Sequence, residues 1–314
     1  MKTIMDPNRL NFLKMVRAPF LSSIISPLFV GAFLALYITG RFELFNFIIV
    51  FIMGVCLHMA TNVYNDIYDT LQGTDKINVN RNEFSGGSGV LVDNPNLLPV
   101  MYRIARFGLL GALITSIGLL FRIDDSLRIY LIALFLLSAF FSKYYTAAPI
   151  KLAYRGWGEV SVWFAFGPMA ILVAAVSQNI GFHKIICVAV PITGISTLSI
   201  LLIGQMIDLE ADKETGKWGI AVRWGNKTTS YIYLLVQVLL CIDIIILSLI
   251  YLKNGWPILI SLIPYIIIFP KICNILIHNY HDTEFLKTAA RLNVYLHLLF
   301  SLCFILSIIL LIVF

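Results

Sequence analysis

The sequence predicts an all-α membrane protein with nine transmembrane helices. Of its 314 residues, 59% are hydrophobic and 13% are charged, whereas an ordinary soluble domain carries about 25% charged residues. A helix that crosses a bilayer needs about 20 mostly apolar residues. Nine segments meet this requirement, at residues 19–39, 45–65, 100–121, 128–147, 158–178, 184–207, 229–252, 256–277 and 293–314. Little chain remains between them, so we predict that residues 1–314 form a single polytopic membrane domain.

The distribution of basic residues predicts how these helices are oriented. One side of the nine spans carries 18 of the 23 lysines and arginines, and the other side carries Arg41, Arg122, Arg128, Lys184 and Lys253. By the positive-inside rule, we expect a cytoplasmic N-terminus in a multi-pass protein of the cytoplasmic (inner) cell membrane, surrounded by membrane lipid. The basic residues are scattered through short loops and form no block, so we expect no nucleic-acid partner.

The second span runs into a cluster of polar residues, "NVYNDIYDTLQGTD", at 62–75. On a helix with 100° per residue, one arc of about 100° contains four of its oxygen-bearing side chains, Asn62, Asn65, Asp66 and Asp69. Gly73 is predicted to end this helix, which leaves Asp75 on the following loop. Acidic groups at membrane depth are costly and usually face a cavity or a partner. The cluster therefore indicates a functional site.

A second acidic cluster, "DLEADKETGKWGIAVRWG", follows the sixth span. Asp208 and Asp212 are four residues apart and share one helix face, while Glu210 points the other way. Four spans separate the two clusters, and because this number is even, both clusters lie on the cytoplasmic side. Mg²⁺ prefers oxygen ligands and often binds through a few carboxylates together with substrate phosphates. The pair of clusters therefore predicts a Mg²⁺ site for a substrate that carries a diphosphate.

Basic residues on the same side are candidates to bind the diphosphate. Each acidic cluster is followed by a loop that contains glycine and cations, and the candidates are Arg81, Lys143, Lys217 and Arg223. Backbone NH groups of a glycine-rich segment such as 85–89 can also bind phosphate oxygens.

Both motifs resemble those of the UbiA superfamily of intramembrane prenyltransferases, whose members carry one such motif after the second helix and another after the sixth. The similarity is greatest to the 1,4-dihydroxy-2-naphthoate (MenA-type) branch. It extends from residue 17 to about residue 225 and includes "RAPFLSSIISPLFVG" and "KLAYRGWGEVSVWFAFGP". In the second motif, Trp218 and Gly219 stand where that branch is expected to have Arg-Thr or a similar pair.

The resemblance implies a UbiA-type helix bundle around a central cavity and a specific set of site residues. The catalytic aspartates would be Asp66, Asp69, Asp208 and Asp212, which with Asn62 would hold Mg²⁺. Asn62 would also bind the diphosphate, together with Arg17, Lys143, Lys217 and Arg223, and Arg81 is a further candidate from its position in the loop after the first motif. The implied reaction is the transfer of a polyprenyl group from polyprenyl diphosphate to an aromatic acceptor. In the naphthoate branch, the acceptor is 1,4-dihydroxy-2-naphthoate, which loses CO₂ in menaquinone biosynthesis.

Two kinds of alternative remain open at this stage. Within the family, the acceptor could instead be a benzoquinone precursor, homogentisate, haem or a glycerol-phosphate ether lipid. Outside it, a cation-coupled transporter also uses intramembrane carboxylates, although Asp243 is the one acidic residue predicted near mid-membrane. The sequence assigns no role to Asp75, Asp243 or Glu159, and it predicts neither the proton acceptor, the prenyl chain length nor the oligomeric state.

Overall fold

The structure, a computed structural model, describes residues 12–313 and is helical throughout, without a named strand in that range. Lys2 and Arg9, which contribute to the predicted charge asymmetry, lie outside the described residues. Within the described part of the chain, nine helices are long and apolar enough to cross a membrane. We name them α1 (Ala18–Thr39), α2 (Leu44–Gln72), α3 (Pro95–Leu120), α4 (Asp125–Tyr144), α5 (Gly158–Ser177), α6 (Lys184–Ile207), α7 (Ile220–Tyr251), α8 (Trp256–His278) and α9 (Thr283–Val313). The predicted all-α fold with nine spans is confirmed.

Several helices extend beyond their predicted apolar segments. Helix α2 continues to Gln72 and ends at Gly73, whose φ of 97° is accessible to glycine at little cost. Helix α7 begins at Ile220 rather than near residue 229, and Gly225 interrupts it with φ 77° and ψ 164°. Helix α9 begins at Thr283 rather than near residue 293. The added turns carry charged and polar residues, which a search for apolar windows excludes.

Helix α1 lies between two hydrophobic cores and belongs to both. One core joins Val30 and Leu34 of α1 to α6, α7, α8 and α9, and includes the fully buried Phe300 and Phe304. The other joins Leu28 and Ala32 of α1 to α2, α3, α4 and α5. Helix α5 also contributes to both cores, through Ile171 in the first and Val173 in the second, so the bundle consists of two packed groups of helices that share α1 and α5.

Close packing of α5 against α6 depends on paired glycines. The two helices approach at Gly167 and Gly194, and a β-carbon on Gly194 would lie 2.5 Å from the carbonyl oxygen of Trp163. Small residues allow such close backbone approach between membrane helices. Nearby, Ala165–Met169 forms a π-helical turn that contains Pro168. This turn places Phe166 beside the cavities described below.

Two connecting segments meet at one end of the bundle. Residues 73–94 connect α2 to α3, and residues 208–219 connect α6 to α7. The first segment is anchored by a third apolar cluster, in which Val90 and Leu91 pack with Val63 and Ile67 of α2. The two acidic motifs, which end α2 and α6, are thereby brought to the same end.

Candidate active site

One cavity of about 180 Å³ lies where α2 and α6 end, and both acidic motifs line it. We call it the carboxylate cavity. It is lined by residues of both motifs and by Arg17, directly before α1. The motif residues in the lining include Asn62, Asn65, Asp69, Asp75, Asp208, Asp212 and Lys217. The two motifs therefore form a single site, as their positions on the same side of the membrane predict.

Asp69 is the most extensively hydrogen-bonded carboxylate of the site. Its Oδ1 accepts a hydrogen bond of 2.7 Å from the Tyr154 hydroxyl. Its Oδ2 accepts one of 2.8 Å from Lys217 Nζ and another from the Asn65 amide, one helical turn earlier. Asp69 is 4% exposed, and burial of a carboxylate is costly unless its oxygens are hydrogen-bonded. These contacts hold it in one orientation.

Lys217 joins the two motifs electrostatically. Its Nζ lies 2.8 Å from Asp69 Oδ2 and 3.9 Å from Asp212 Oδ1. Burial on its own would lower the pKa of Lys217, but the carboxylates of Asp69 and Asp212 outweigh it and raise the pKa well above its ordinary value. Lys217 therefore stays protonated and carries a positive charge between the clusters.

Asp66 and Asp208 both bind the segment that follows the first motif. The carboxylate of Asp66 accepts from the backbone NH of Ser88 at 3.2 and 3.3 Å and lies 3.8 Å from Arg17 Nη1. Oδ1 of Asp208 accepts a hydrogen bond of 2.7 Å from the Asn78 amide. Residues 78–88 therefore cover the cavity and contact one aspartate of each motif. We call them the covering segment.

The glycine-rich part of this segment lies against the carboxylates. Ser85, Gly86 and Gly87 line the cavity, and Gly87 has φ +74°. A β-carbon at Gly87 would overlap the carboxylate of Asp75. Only glycine combines this backbone conformation with so close an approach.

Burial raises the pKa values of three carboxyl groups on the connecting segments. It raises the pKa of Asp75 to about 8, assisted by the neighbouring charges of Asp69 and Asp66. It raises the pKa of Asp212 to about 7, although Lys217 opposes the rise. Burial likewise raises the pKa of Asp208, against hydrogen bonds from Ser85 and Asn78. Negative charge is thus crowded here, and a cation would stabilise the ionised forms.

The residues of the cavity fit a hard divalent cation that takes some of its ligands from the protein and the others from a substrate. Two cationic side chains, Arg17 and Lys217, form ion pairs with aspartates here. The site contains five aspartates, so the acidic groups outnumber these cations; they are Asp66, Asp69, Asp75, Asp208 and Asp212. Within residues 12–313, however, no three His, Cys, Asp or Glu side chains converge closely enough to hold a metal unaided. Mg²⁺ characteristically completes its shell with water and phosphate oxygens, so this donor set suits Mg²⁺ bound together with a diphosphate.

Two further cavities adjoin the carboxylate cavity. The apolar cavity, of about 100 Å³, lies deeper among α1, α2, α4 and α5 and shares His58, Thr61, Tyr145, Val162 and Phe166 with it. The wide cavity, of about 720 Å³, lies between the start of α1, the covering segment, α6 and α9. It shares Arg17, Phe20, Ser23 and Gly87 with the carboxylate cavity. The carboxylate cavity therefore borders both the apolar cavity and the wide cavity, which is lined by basic residues.

Comparison with known proteins agrees with this architecture. Residues 24–295 match the UbiA prenyltransferase family. The chain belongs to this family. Its members are enzymes that transfer prenyl groups, so the prediction of a prenyltransferase is confirmed, as is the UbiA-type fold.

Similar sequences include a 2-carboxy-1,4-naphthoquinone phytyltransferase of Synechocystis, which is 28% identical over 70% of this chain and 68% of that protein. A 1,4-dihydroxy-2-naphthoate octaprenyltransferase of Mycobacterium tuberculosis is 25% identical over 58% of this chain and 59% of its own length. Similar folds include UbiA homologues from Archaeoglobus fulgidus, with a TM-score of 0.67, 15% identity and coverage of 96% and 98%, and from Aeropyrum pernix, with a TM-score of 0.66, 14% identity and coverage of 91% and 97%.

The structure does not bring all the predicted site residues of this UbiA-family chain together. Asn62, Asp69, Asp208, Asp212 and Lys217 line the carboxylate cavity, and Asp66 lies beside it through Arg17 and Ser88.

Three predicted diphosphate ligands lie elsewhere. Arg81 lines the wide cavity and pairs with Asp93 at 3.6 Å. Arg223 pairs with Glu159 at 3.6 Å, and Lys143 Nζ lies over the ring of Tyr144, 5.3 Å from its centroid. Arg223 and Lys143 line none of the three cavities. The side of the membrane on which a residue lies does not specify which way its side chain points.

Sequence reasoning missed several polar residues that hold the site together. Tyr154, Asn78 and Ser88 each donate a hydrogen bond to one of the predicted aspartates. Thr74 and Thr215, one after each motif, lie 2.9 Å apart between their hydroxyl oxygens. Tyr154 falls in the "YRG" segment of the family resemblance, which was the available signal for it. In the covering segment, the sequence signal is confined to the glycines of residues 85–89.

Proposed function

We propose that this prenyltransferase transfers a polyprenyl group from a polyprenyl diphosphate to 1,4-dihydroxy-2-naphthoate, with loss of CO₂, in menaquinone biosynthesis. The observation that carries the proposal is the convergence of both acidic motifs and Lys217 on one cavity that borders an apolar space. A prenyl diphosphate has the matching form, with a charged head and an apolar chain.

The diphosphate would bind at the carboxylate cavity with a divalent cation. Asn62, Asp66, Asp69, Asp208 and Asp212 are the residues that would hold Mg²⁺, which when bound neutralises charge on the leaving diphosphate. The UbiA homologue of Archaeoglobus fulgidus was solved with DMAPP and Mg²⁺, which supports this assignment by analogy of fold. Lys217 would add a fixed positive charge as the bond between the allylic carbon and the diphosphate oxygen breaks.

The apolar cavity would receive the first part of the prenyl chain. Its lining is formed by side chains such as Leu28, Met53, Leu57, Phe141 and Met169, with Tyr145 and Phe166 at the border with the carboxylate cavity. Aromatic faces attract positive charge. Tyr145 and Phe166 are therefore suitably located to stabilise charge that develops on the allylic carbon.

The acceptor would enter the wide cavity. Lys14, Arg17 and Arg81 line it beside the aromatic rings of Phe20 and Phe84, a combination that suits an aromatic carboxylate. The ring carbon that bears the carboxyl group would attack the allylic carbon, and the carboxyl group would leave as CO₂. The named relatives that act on naphthoate or naphthoquinone carboxylates favour this acceptor over the other family acceptors.

The orientation of the site towards the cytoplasm is part of the proposal. It rests on the excess of basic residues on the side of the membrane where the acidic motifs lie.

An acceptor panel tests the proposed function. Purified full-length protein in detergent is given a labelled polyprenyl diphosphate, Mg²⁺ and one acceptor at a time, among them 1,4-dihydroxy-2-naphthoate, 4-hydroxybenzoate and homogentisate. We expect a prenylated, decarboxylated product from the naphthoate alone. Transfer to another acceptor would replace the naphthoate assignment. Absence of transfer to every acceptor would contradict the proposed activity.

A further inference from the structure

Three hydroxyl groups connect the second motif's loop to Asp69 of the first motif. Thr215 Oγ1 lies 2.9 Å from Thr74 Oγ1, and Thr74 Oγ1 lies 2.7 Å from the Tyr154 hydroxyl oxygen. The Tyr154 hydroxyl then donates to Asp69 Oδ1 at 2.7 Å. The four residues come from four different segments of the chain.

The number of available protons gives this chain of hydroxyls a direction. Each hydroxyl has one proton to donate, and an ionised carboxylate can only accept. Tyr154 therefore donates to Asp69 and Thr74 donates to Tyr154, so the proton for the contact between Thr74 and Thr215 has to come from Thr215. The Thr215 hydroxyl has a second acceptor at 2.8 Å, the Ala211 carbonyl, which also accepts from the backbone NH of Thr215, so the Thr215 proton is shared between this carbonyl and Thr74. All three contacts have a proton only when every hydroxyl points towards Asp69.

The chain of hydroxyls is shielded from water along most of its length. Thr74 is 2% exposed, Asp69 is 4% exposed and Tyr154 is 7% exposed. In such surroundings consecutive hydrogen bonds polarise and strengthen one another, and a buried polar group without its partner is costly. Removal of any one hydroxyl should therefore weaken the hydrogen bonding of Asp69.

We propose that Thr215, Thr74 and Tyr154 form a positioning relay that orients Asp69 and fixes the second motif's loop relative to the first motif. The proposal rests on the proposed function, in which Asp69 binds the metal and the diphosphate. Tyr154 is absent from the lining of the carboxylate cavity and acts through Asp69, so it is a positioning residue. By occupying Oδ1 of Asp69, it leaves Oδ2 directed at Lys217.

The central experiment removes the hydroxyl of Tyr154. Mn²⁺, as a spectroscopic substitute for Mg²⁺, is titrated into full-length Tyr154→Phe in detergent with inorganic pyrophosphate present. Partners that orient a metal ligand are typically worth about 10- to 100-fold in metal affinity, so we expect the Mn²⁺ dissociation constant to rise by about tenfold or more. The KM for the aromatic acceptor should be unchanged, because the relay does not reach the wide cavity.

Two matched variants separate a relay from loss of stability. Tyr233→Phe removes the hydroxyl of another buried tyrosine, far along α7, which is hydrogen-bonded to Asn293, and should leave Mn²⁺ affinity unchanged. Thr215→Val should raise the dissociation constant, whereas Thr215→Ser, which keeps the hydroxyl, should restore it. Because links of one chain are not independent, Thr215→Val combined with Tyr154→Phe should be little worse than Tyr154→Phe alone.

The outcomes distinguish the relay from the proposed function. If the unaltered protein binds neither Mn²⁺ nor pyrophosphate, the proposed function itself is contradicted. If it binds both, and Tyr154→Phe and Thr215→Val bind Mn²⁺ as tightly as the unaltered protein, the relay is overturned. Equal increases in the metal dissociation constant and the acceptor KM would also overturn it, because that pattern indicates general disruption. If Tyr154→Phe does not fold, the comparison of Thr215→Val with Thr215→Ser decides.

Discussion

The ammonium group of Lys217 lies 2.8 Å from Oδ2 of Asp69, although 148 residues separate them in the chain. The same nitrogen lies 3.9 Å from Asp212. A single lysine thus provides a counter-charge for one carboxylate from each motif. In the proposed function, Lys217 would stabilise the site before the substrate binds and contact the diphosphate afterwards.

Lys217→Met should destabilise the metal-free protein. Removing one partner of a buried ion pair leaves the other charge uncompensated and costs about 3–5 kcal/mol. We expect a lower thermal-inactivation temperature without Mg²⁺, and a larger stabilisation by Mg²⁺ than in the unaltered protein, because the metal replaces the lost charge. Turnover should also fall. Lys213→Met, at an exposed position four residues earlier, is the control. Equal stabilisation of both proteins by Mg²⁺ would show that Lys217 has no counter-charge role.

Removal of the metal should abolish prenyl transfer reversibly. The carboxylates of Asp75 and Asp212 have raised pKa values because negative charge is buried and crowded there, and a diphosphate adds more. We expect EDTA to stop transfer and excess Mg²⁺ to restore it, measured as product formed from a labelled donor. Full activity in the chelator would contradict the metal assignment.

Asp66 and Asp208 should behave as members of one catalytic unit. Each contacts the segment that covers the cavity, through Ser88 and Asn78 respectively. Asp66→Ala and Asp208→Ala should each lower turnover by orders of magnitude, and the double variant should be far from additive, as for groups that share one task. Glu210→Ala, at an exposed position, should have little effect. Multiplicative losses in the double variant would indicate two independent roles.

The sequence predicts those parts of the fold and site that depend on composition and periodicity. Apolar segments long enough to cross a bilayer predict the nine helices, and their even separation places Asp69 and Asp212 at one surface. Helix ends such as Thr283 are not predicted in this way, because charged turns that project beyond the bilayer have no apolar signal.

The hydrogen-bond partners within the site could not be predicted from spacing. Whether Tyr154 or Lys143 reaches an aspartate depends on how α4, α5 and the connecting segments pack. Both residues lie on the predicted side, yet Tyr154 contacts Asp69 and Lys143 lies against Tyr144. A side-chain direction of this kind follows from tertiary packing and has no local sequence pattern.

Gly87→Ala should close the carboxylate cavity. The φ of +74° at this position is strained for alanine, and the new methyl group would overlap the Asp75 carboxylate. Backbone strain of this kind costs about 1–3 kcal/mol, and displacement of the covering segment should also lower donor affinity, measured as a higher KM for the prenyl diphosphate. Gly118→Ala, whose β-carbon would meet nothing within 4 Å, is the control and should retain activity. Normal donor KM in Gly87→Ala would contradict the proposed fit of the covering segment.

The proposed orientation in the membrane is tested by cysteine labelling. The native cysteines, which are free, are first replaced. Single cysteines are then introduced at three exposed positions: Lys76, directly after the first motif, Glu214, within the second motif, and Asp125, at the start of α4. With a cytoplasmic site, a membrane-impermeant thiol reagent should label positions 76 and 214 from the cytoplasmic face and position 125 from the opposite face. The reverse pattern would invert the orientation but leave the site intact. Labelling of positions 76 and 214 from opposite faces would separate the motifs by a bilayer of about 30 Å, a distance that the 2.8 Å contact between Lys217 and Asp69 does not allow.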